Sequence, residues 1–284
     1  MDNSNVEQGF ETVIQPKRRL LDFNLKEVWK YRDLITLFVK RNFVAQYKQT
    51  ILGPLWAIIQ PLFTTVIFTI IFGNLAGLAP GGVPSFIFYL SGSIAWGYFA
   101  GCLGSTSHTF TGNAGIMGKV YFPRLVMPIT SVLSQLISFT IQFVMMLAFW
   151  IYYWATGAIT PNVSVLAFPA LLLQMACLGL GFGIIISSFT TKYRDLVILV
   201  GFGMQLWMYA TPVAYDISII PQSVMWLYML NPMTPVINTF RYIFLGVGEF
   251  QPLYYAISWL VTIVVLFLGV ILFNKVEKTF MDTV

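Results

Sequence analysis

Long apolar runs, broken by short clusters of glycine, proline and charge, organise this chain. A helix that crosses a bilayer needs about 20 mainly apolar residues, and six stretches meet that length, at 55–76, 85–106, 125–154, 165–189, 196–214 and 253–273. From Gln49 to Gly118, from Leu125 to Thr191 and from Leu196 to Tyr215 there is no Asp, Glu, Lys or Arg. Strands of a membrane barrel would alternate polar and apolar over about ten residues, a pattern this chain does not sustain. The expected class is an all-α polytopic membrane protein with six transmembrane helices.

Two further segments have a helical pattern without spanning length. From Asn24 to Thr50, Val28, Tyr31, Ile35, Phe38 and Phe43 recur at roughly helical spacing, with Lys30, Lys40, Arg41 and Lys48 elsewhere around the helix. This pattern predicts an N-terminal amphipathic interface helix, its apolar face in the headgroup region and its basic groups on anionic phosphates. The alternative is a cytoplasmic helix packed on the protein itself. Gly53 and Pro54 end the segment. The second segment holds SVMWLYML and VINTFRYIFL on either side of Asn231, Pro232, Met233, Thr234 and Pro235. Each piece is too short to cross and too apolar for an ordinary solvated loop, so a re-entrant outer hairpin between spans five and six is expected, with a plain outer loop as the alternative. The organisation expected is a cytoplasmic tail at 1–23, the interface helix at 24–53, a six-span domain at 54–274 with its hairpin at about 216–249, and a cytoplasmic tail at 275–284.

Charge orients this scheme. Of 16 Lys and Arg, all but Arg241 precede the first span, follow the last, or lie in the second and fourth loops. Basic residues favour the cytoplasmic side, which places both termini there. With 57% apolar and only 10% charged residues and a mean hydropathy of +0.77, against about 25% charged in soluble domains, the chain is no cytosolic enzyme, disordered tail or secreted disulfide scaffold. Anionic headgroups account for the net charge of +5, so no nucleic-acid partner is expected. Cys102 and Cys177 lie in apolar stretches and read as small packed hydrophobes. Asp2, Glu7 and Glu11, with no early apolar core, argue against a cleavable signal peptide.

The loop TFTGNAGIMGKVYFPR invites comparison with a phosphate-binding loop. Gly118 and Lys119 would need a glycine at 113 and a hydroxyl residue at 120, where Asn113 and Val120 stand. No ATP site is expected in this chain, and no catalytic, cofactor-binding or metal-binding residue. The single His108 has no acidic neighbour in sequence and reads as an interfacial or packing residue. The triplet Asn162, Val163, Ser164 is set aside as a chance glycosylation match. Ion-coupled carriers bury ionisable groups at mid-membrane, and these spans hold none. They hold Trp, Tyr and Phe together with Gln60, Gln135, Gln142, Gln174 and Gln205, a neutral surface suited to stacking on sugar rings and bonding hydroxyls. Interface belts and helix packing explain any one of these aromatics equally well. Arg241, between Phe240 and Tyr242, should be shielded and held by a carbonyl at a helix end, by Asp216 or Glu249, or by a phosphate, with gating or anchoring as its role.

The stretches YKQTILGPLWAIIQPL, KVYFPRLVMP, the trio Tyr193, Arg194, Asp195, NPMTPVINTFR and NKVEKTFMD appear in this order. Together they resemble a polysaccharide-exporting ATP-binding-cassette permease of the type-2 family, from about Asn24 to Asp282. The resemblance implies a half-channel in the bacterial inner membrane. Two copies of the chain would pair with two copies of a separate nucleotide-binding ATPase, which holds the ATP and magnesium, to export lipid-linked O-antigen, capsule or teichoic-acid chains. It implies that spans one and five face the dimer axis, which makes Trp56, Gln60, Phe63, Gln205 and Tyr209, with Arg241, the pathway or gate candidates. It implies coupling to the ATPase through Asn113, Gly115, Met117, Lys119 and Tyr121, with Lys192, Arg194 and Asp195 nearby. The alternatives are an exporter of drugs or small lipids in the same superfamily, an ion-coupled carrier or a passive channel. A membrane enzyme ranks below these, because Asp195, Asp216 and Glu249 are scattered across opposite sides.

Overall fold

Backbone groups surrounded by apolar side chains and lipid must bond within their own segment, and the apolar runs accordingly fold as helices. The computed structural model describes residues 25–117, 119–120, 122–160, 163–190, 193 and 195–283, with no β-strand among them. In chain order the helices are α1 (Leu25–Lys30), α2 (Arg32–Tyr47), α3 (Trp56–Phe68), α4 (Ser85–Ser107), α5 (Thr109–Met117), α6 (Val126–Ala155), α7 (Phe168–Thr190), α8 (Leu196–Tyr209), α9 (Gln222–Leu230), α10 (Met233–Leu245) and α11 (Pro252–Thr283). Five helical stretches are long and apolar enough to span: Gly53–Leu75, Ser85–Ser107, Val126–Ala155, Ser164–Thr190 and Pro252–Val276. They match five of the six expected stretches within three residues at either end.

The fifth expected stretch, 196–214, differs. Its helix α8 has 14 residues, roughly 21 Å at 1.5 Å per residue, short of a hydrocarbon core of about 30 Å. Pro212 supplies the reason, since proline removes a donor and restricts the residue before it. The chain turns there instead, with Thr211, Pro212, Val213 and Ala214 all buried.

Helix α4 is the hub, packed on α7, α6, α3 and α10. Its approach to α7 depends on missing side chains. A Cβ on Gly179 would stand 2.5 Å from Cys102 Cβ, and one on Gly183 would stand 2.5 Å from Thr106 Cβ. Small residues that let helix backbones approach are the usual device where lipid offers no hydrophobic driving force. The first span is less regular. It starts at Gly53 (φ +52°) and Pro54, carries Pro61 inside α3, and continues as a π-helix over Thr69–Leu75.

The N-terminal segment forms two helices, α1 and α2. Val28 and Phe38 are buried in a cluster with Phe110, Phe122, Val126, Met127 and Phe273, and Phe38 meets Phe122 edge-on at 6.2 Å. Asn42 Nδ2 donates to Ser134 Oγ at 3.3 Å, and the Tyr47 hydroxyl lies 3.3 Å from Ser138 Oγ. Part of the apolar face expected to meet lipid therefore packs on α6. A different set, Trp29, Leu37 and Val44, stays exposed.

The two short apolar segments form α9, with the expected length at 9 residues, and α10, which at 13 residues begins inside the stretch expected as the turn, and they are packed unequally. Every residue of α10 except Tyr242 is buried, whereas Met229 alone is buried in α9. Gly246 ends α10 in the left-handed conformation at φ +68°, which glycine adopts without steric cost. At the other end of the chain, α11 continues without interruption through the region expected as a tail from 275.

Candidate functional site

The turn after α8 exposes carbonyls that no helix can satisfy, and Arg241 of α10 meets them. Its Nη1 donates to Pro212 O at 2.6 Å and to Tyr215 O at 3.4 Å, and its Nη2 donates to Val213 O at 2.7 Å. The guanidinium carbon lies 3.6 Å from the centre of the Phe88 ring. Gly92 makes room, since a Cβ there would stand 2.5 Å from Nη2. Arg241 is 3% exposed. The sequence expectation of shielding by carbonyls at a helix end matches this geometry. Asp216 and Glu249 form no ion pair with Arg241 among the described residues. Asp216 instead accepts from Ser218 Oγ, and its N–H donates to Leu78 O at 3.2 Å.

Asn231 of the proline turn is a second staple. Its Oδ1 accepts from Trp207 Nε1 at 2.9 Å and from the Met233 N–H at 3.1 Å, while its Nδ2 donates to Thr211 Oγ1 at 2.8 Å. Sequence reading missed this role, although an Asn before Pro at a helix start is a recognisable turn signal. The Tyr215 phenol donates to Tyr209 O at 3.1 Å.

At the basic end of the bundle, α5 is fixed on one side and open on the other. Phe110 stacks on Phe273 with ring centres 4.6 Å apart, and its N–H donates to Ser187 Oγ at 3.4 Å. Thr190 Oγ1 donates to Ser107 O, at the end of α4, at 3.1 Å, so the junction of α4 and α5 is tied to the end of α7. Asn113 Nδ2 donates to Thr109 O at 3.0 Å within its own helix. Gly115 is exposed, with nothing within 4 Å of where a Cβ would be. Met117 closes the helix, and Lys119 is exposed just beyond it. Asp195 is exposed at the start of α8. Tyr121, Lys192 and Arg194 lie outside the described residues.

Trp56, Gln60 and Phe63 are exposed at positions i, i+4 and i+7 of α3, which places them on one helix face. Gln205 and Tyr209 are exposed on α8, a helix with no buried residue at all. Arg241 is not on either surface. These faces carry aromatic rings and amides and no acidic or basic group.

Residues 33–245 match the family model for the ABC-2 type transporter. The chain belongs to the ABC-2 type transporter family. Two relatives from Klebsiella pneumoniae, each named O-antigen export system permease protein RfbA, are 27% identical over 88% of this chain and 94% of their own length. A relative of the same name from Myxococcus xanthus is 27% identical over 78% of this chain and 83% of its own. ABC-2 membership makes this a transmembrane transporter subunit, whose family works in partnership with an ABC ATPase subunit. The sequence resemblance to such a permease is therefore correct at the level of family.

Proposed function

We propose that this chain is the channel-forming subunit of an ATP-driven exporter that moves lipid-linked polysaccharide across the bacterial inner membrane. The observation that carries the reading is the neutral character of the exposed α3 and α8 faces in a protein of this family. Trp56, Gln60, Phe63, Gln205 and Tyr209 present stacking rings and amides to whatever passes, with no charge to couple ions. The export names of the relatives support the same reading.

In this reading two copies pair through α3 and α8, and α8 with its following turn acts as the sixth crossing. The α9–α10 pair is the re-entrant element on the outer side, and both termini are cytoplasmic. Two ATPase subunits hold the ATP and magnesium and seat on α5 through Asn113, Gly115, Met117, Lys119 and Tyr121, with Arg194 and Asp195 beside them. Nucleotide-driven closure of the ATPase pair then shifts the two permease copies between closed and conducting arrangements. The force enters through the Phe110–Phe273 stack and the Ser107–Thr190 bond.

The test is co-reconstitution in proteoliposomes with the partner ATPase and the lipid-linked glycan of the same cell. ATP should drive glycan to the protected side, and the purified chain alone should hydrolyse no ATP. A small lipid or drug as the only transported cargo, or turnover by the isolated chain after contaminants are removed, would overturn the reading.

A further inference from the structure

Where the C-terminal end of α2 meets the middles of α3, α4 and α6, the helices part around a cavity of about 350 Å³. Gln60, Gln135 and Gln142, Trp56 and Trp96, and Ser93 line it. Ser93 and Trp96 sit near the middle of the 23-residue α4, while Gln46, Tyr47 and Trp56 line the other end, so the cavity runs from the end of α2 to the middle of a span.

Four of its polar side chains are not used by the fold. Ser93 Oγ is buried with no hydrogen-bond partner among the described residues. The side-chain amides of Gln60, Gln135 and Gln142 likewise bond to no described residue. Each amide offers two donors and two acceptor positions, and leaving them unpaired at this depth is costly. Glycines hold two of these amides against α4. A Cβ on Gly101 would stand 2.8 Å from Gln135 Oε1, while Gly97 faces Gln142 Oε1 at 3.9 Å. The Tyr47 hydroxyl, 3.3 Å from Ser138 Oγ, ties the end of α2 to the same rim.

No Lys, Arg, Asp or Glu lines the cavity, which disfavours a metal cation or a phosphate group. An acyl chain would leave every amide unpaired. A pyranose ring has apolar C–H faces for the indoles and ring hydroxyls that both donate and accept for the amides. We infer that this cavity binds one sugar ring of a neutral glycan within a single copy of the chain. The inference rests on the export reading above and adds a recognition site to it.

The test uses the chain with its ATPase in nanodiscs and four probes: the methyl pyranosides of glucose, galactose, mannose and rhamnose. Binding is read by saturation-transfer NMR and by tryptophan fluorescence, separately from glycan export. Two variants attack the site differently. Gly97→Leu fills the cavity from a position with open space around it, and the double variant Gln135→Leu with Gln142→Leu removes the amides at nearly constant volume. Ser93→Ala, a one-atom deletion, guards against misfolding as the cause. At least one probe should bind saturably, about tenfold more weakly in the first two variants and by a smaller factor in Ser93→Ala, with export falling in parallel. Equal binding in wild type and variants, or no saturable binding by a wild-type complex that exports glycan, overturns the inference and leaves the export reading standing. Variant-sensitive binding in a complex whose cargo proves not to be a glycan sustains the cavity assignment and overturns the export reading.

Discussion

Helices α4 and α3 are neighbours, each in a stretch apolar enough to cross a membrane, with opposite fates. Of the most apolar stretch of α4, 72% is buried inside one copy, against 22% for the first span that contains α3. Around α4, several irregularities are matched by a partner: glycines on α7 accept its backbone, Gly92 accepts the Arg241 guanidinium, and α10 fills the far end. Around α3 and α8 the matching is sparse, Trp207 being the residue of α8 that meets fitted partners in Asn231, Trp96, Phe99 and Phe182. Gly201 and Gly203 of α8 have nothing within 4 Å of a Cβ position, where Gly179 and Gly183 of α7 meet atoms at 2.5 Å. Hydrophobicity alone does not distinguish a scaffold helix from one that waits for lipid, substrate or a second copy. The presence of small residues and polar groups with fitted partners does.

The hardest blow to the packed region should be Arg241→Ala. It leaves the carbonyls of Pro212 and Val213 without donors, each worth about 1–3 kcal/mol when stranded, and it empties the space over Phe88. The melting temperature in detergent should fall and export should fall with it. Arg241→Lys should recover only part of either, because one ammonium cannot reproduce a planar fork that serves three carbonyls and stacks on a ring. Wild-type melting in Arg241→Ala would break the contrast between the two regions at its strongest point.

A pair of glycine variants tests the contrast at equal chemistry. Gly183→Val drives branched carbon into Thr106 at the α4–α7 contact and should cost about 1–3 kcal/mol of stability by overpacking. Gly201→Val meets no neighbour in one copy, so the thermal stability of the solubilised chain should change by no more than about 0.5 kcal/mol. If Gly201→Val nevertheless lowers export or dimer recovery, the α8 face is in use by a partner. Equal loss of stability in both variants would show that α8 is packed after all.

Which parts of this were legible in the sequence follows from the same physics. Span positions depend on local composition, and five of them emerged within a few residues. The end of α8 depended on what Pro212 and Arg241 do together across 29 positions of sequence, so hydropathy extended the span too far. The need of Arg241 for carbonyls was readable from its lone charge, but which carbonyls was not. Helix α2 carried a correct periodicity, yet no periodicity tells whether Phe38 faces lipid or Phe122. Gln135 and Gln142 stood out as amides in spans, while their convergence with Ser93 and Trp96 needed α6 and α4 brought together. Among the coupling candidates, Asn113 turned out to spend its amide on its own helix, whereas Gly115 and Lys119 remain exposed.

The smallest expected effect on the chain itself belongs to a third kind of surface, the open side of α5. Gly115→Glu adds a charged side chain where a Cβ has nothing within 4 Å, on a helix whose other side is pinned by the Phe110–Phe273 stack. Stability and membrane insertion should change by less than about 0.5 kcal/mol, as for most surface substitutions away from packed features. Binding of the ATPase is a different matter, because a few central residues dominate such interfaces and an acid without a partner there must lose its water. A pull-down from tagged permease should recover clearly less ATPase with Gly115→Glu, and Lys119→Glu, a charge reversal on the exposed rim, should give a smaller loss that grows at low salt. Full recovery with both variants would move the docking surface away from α5. Reduced recovery with an unchanged melting profile would show that α5 is left open by its own fold because another chain completes it.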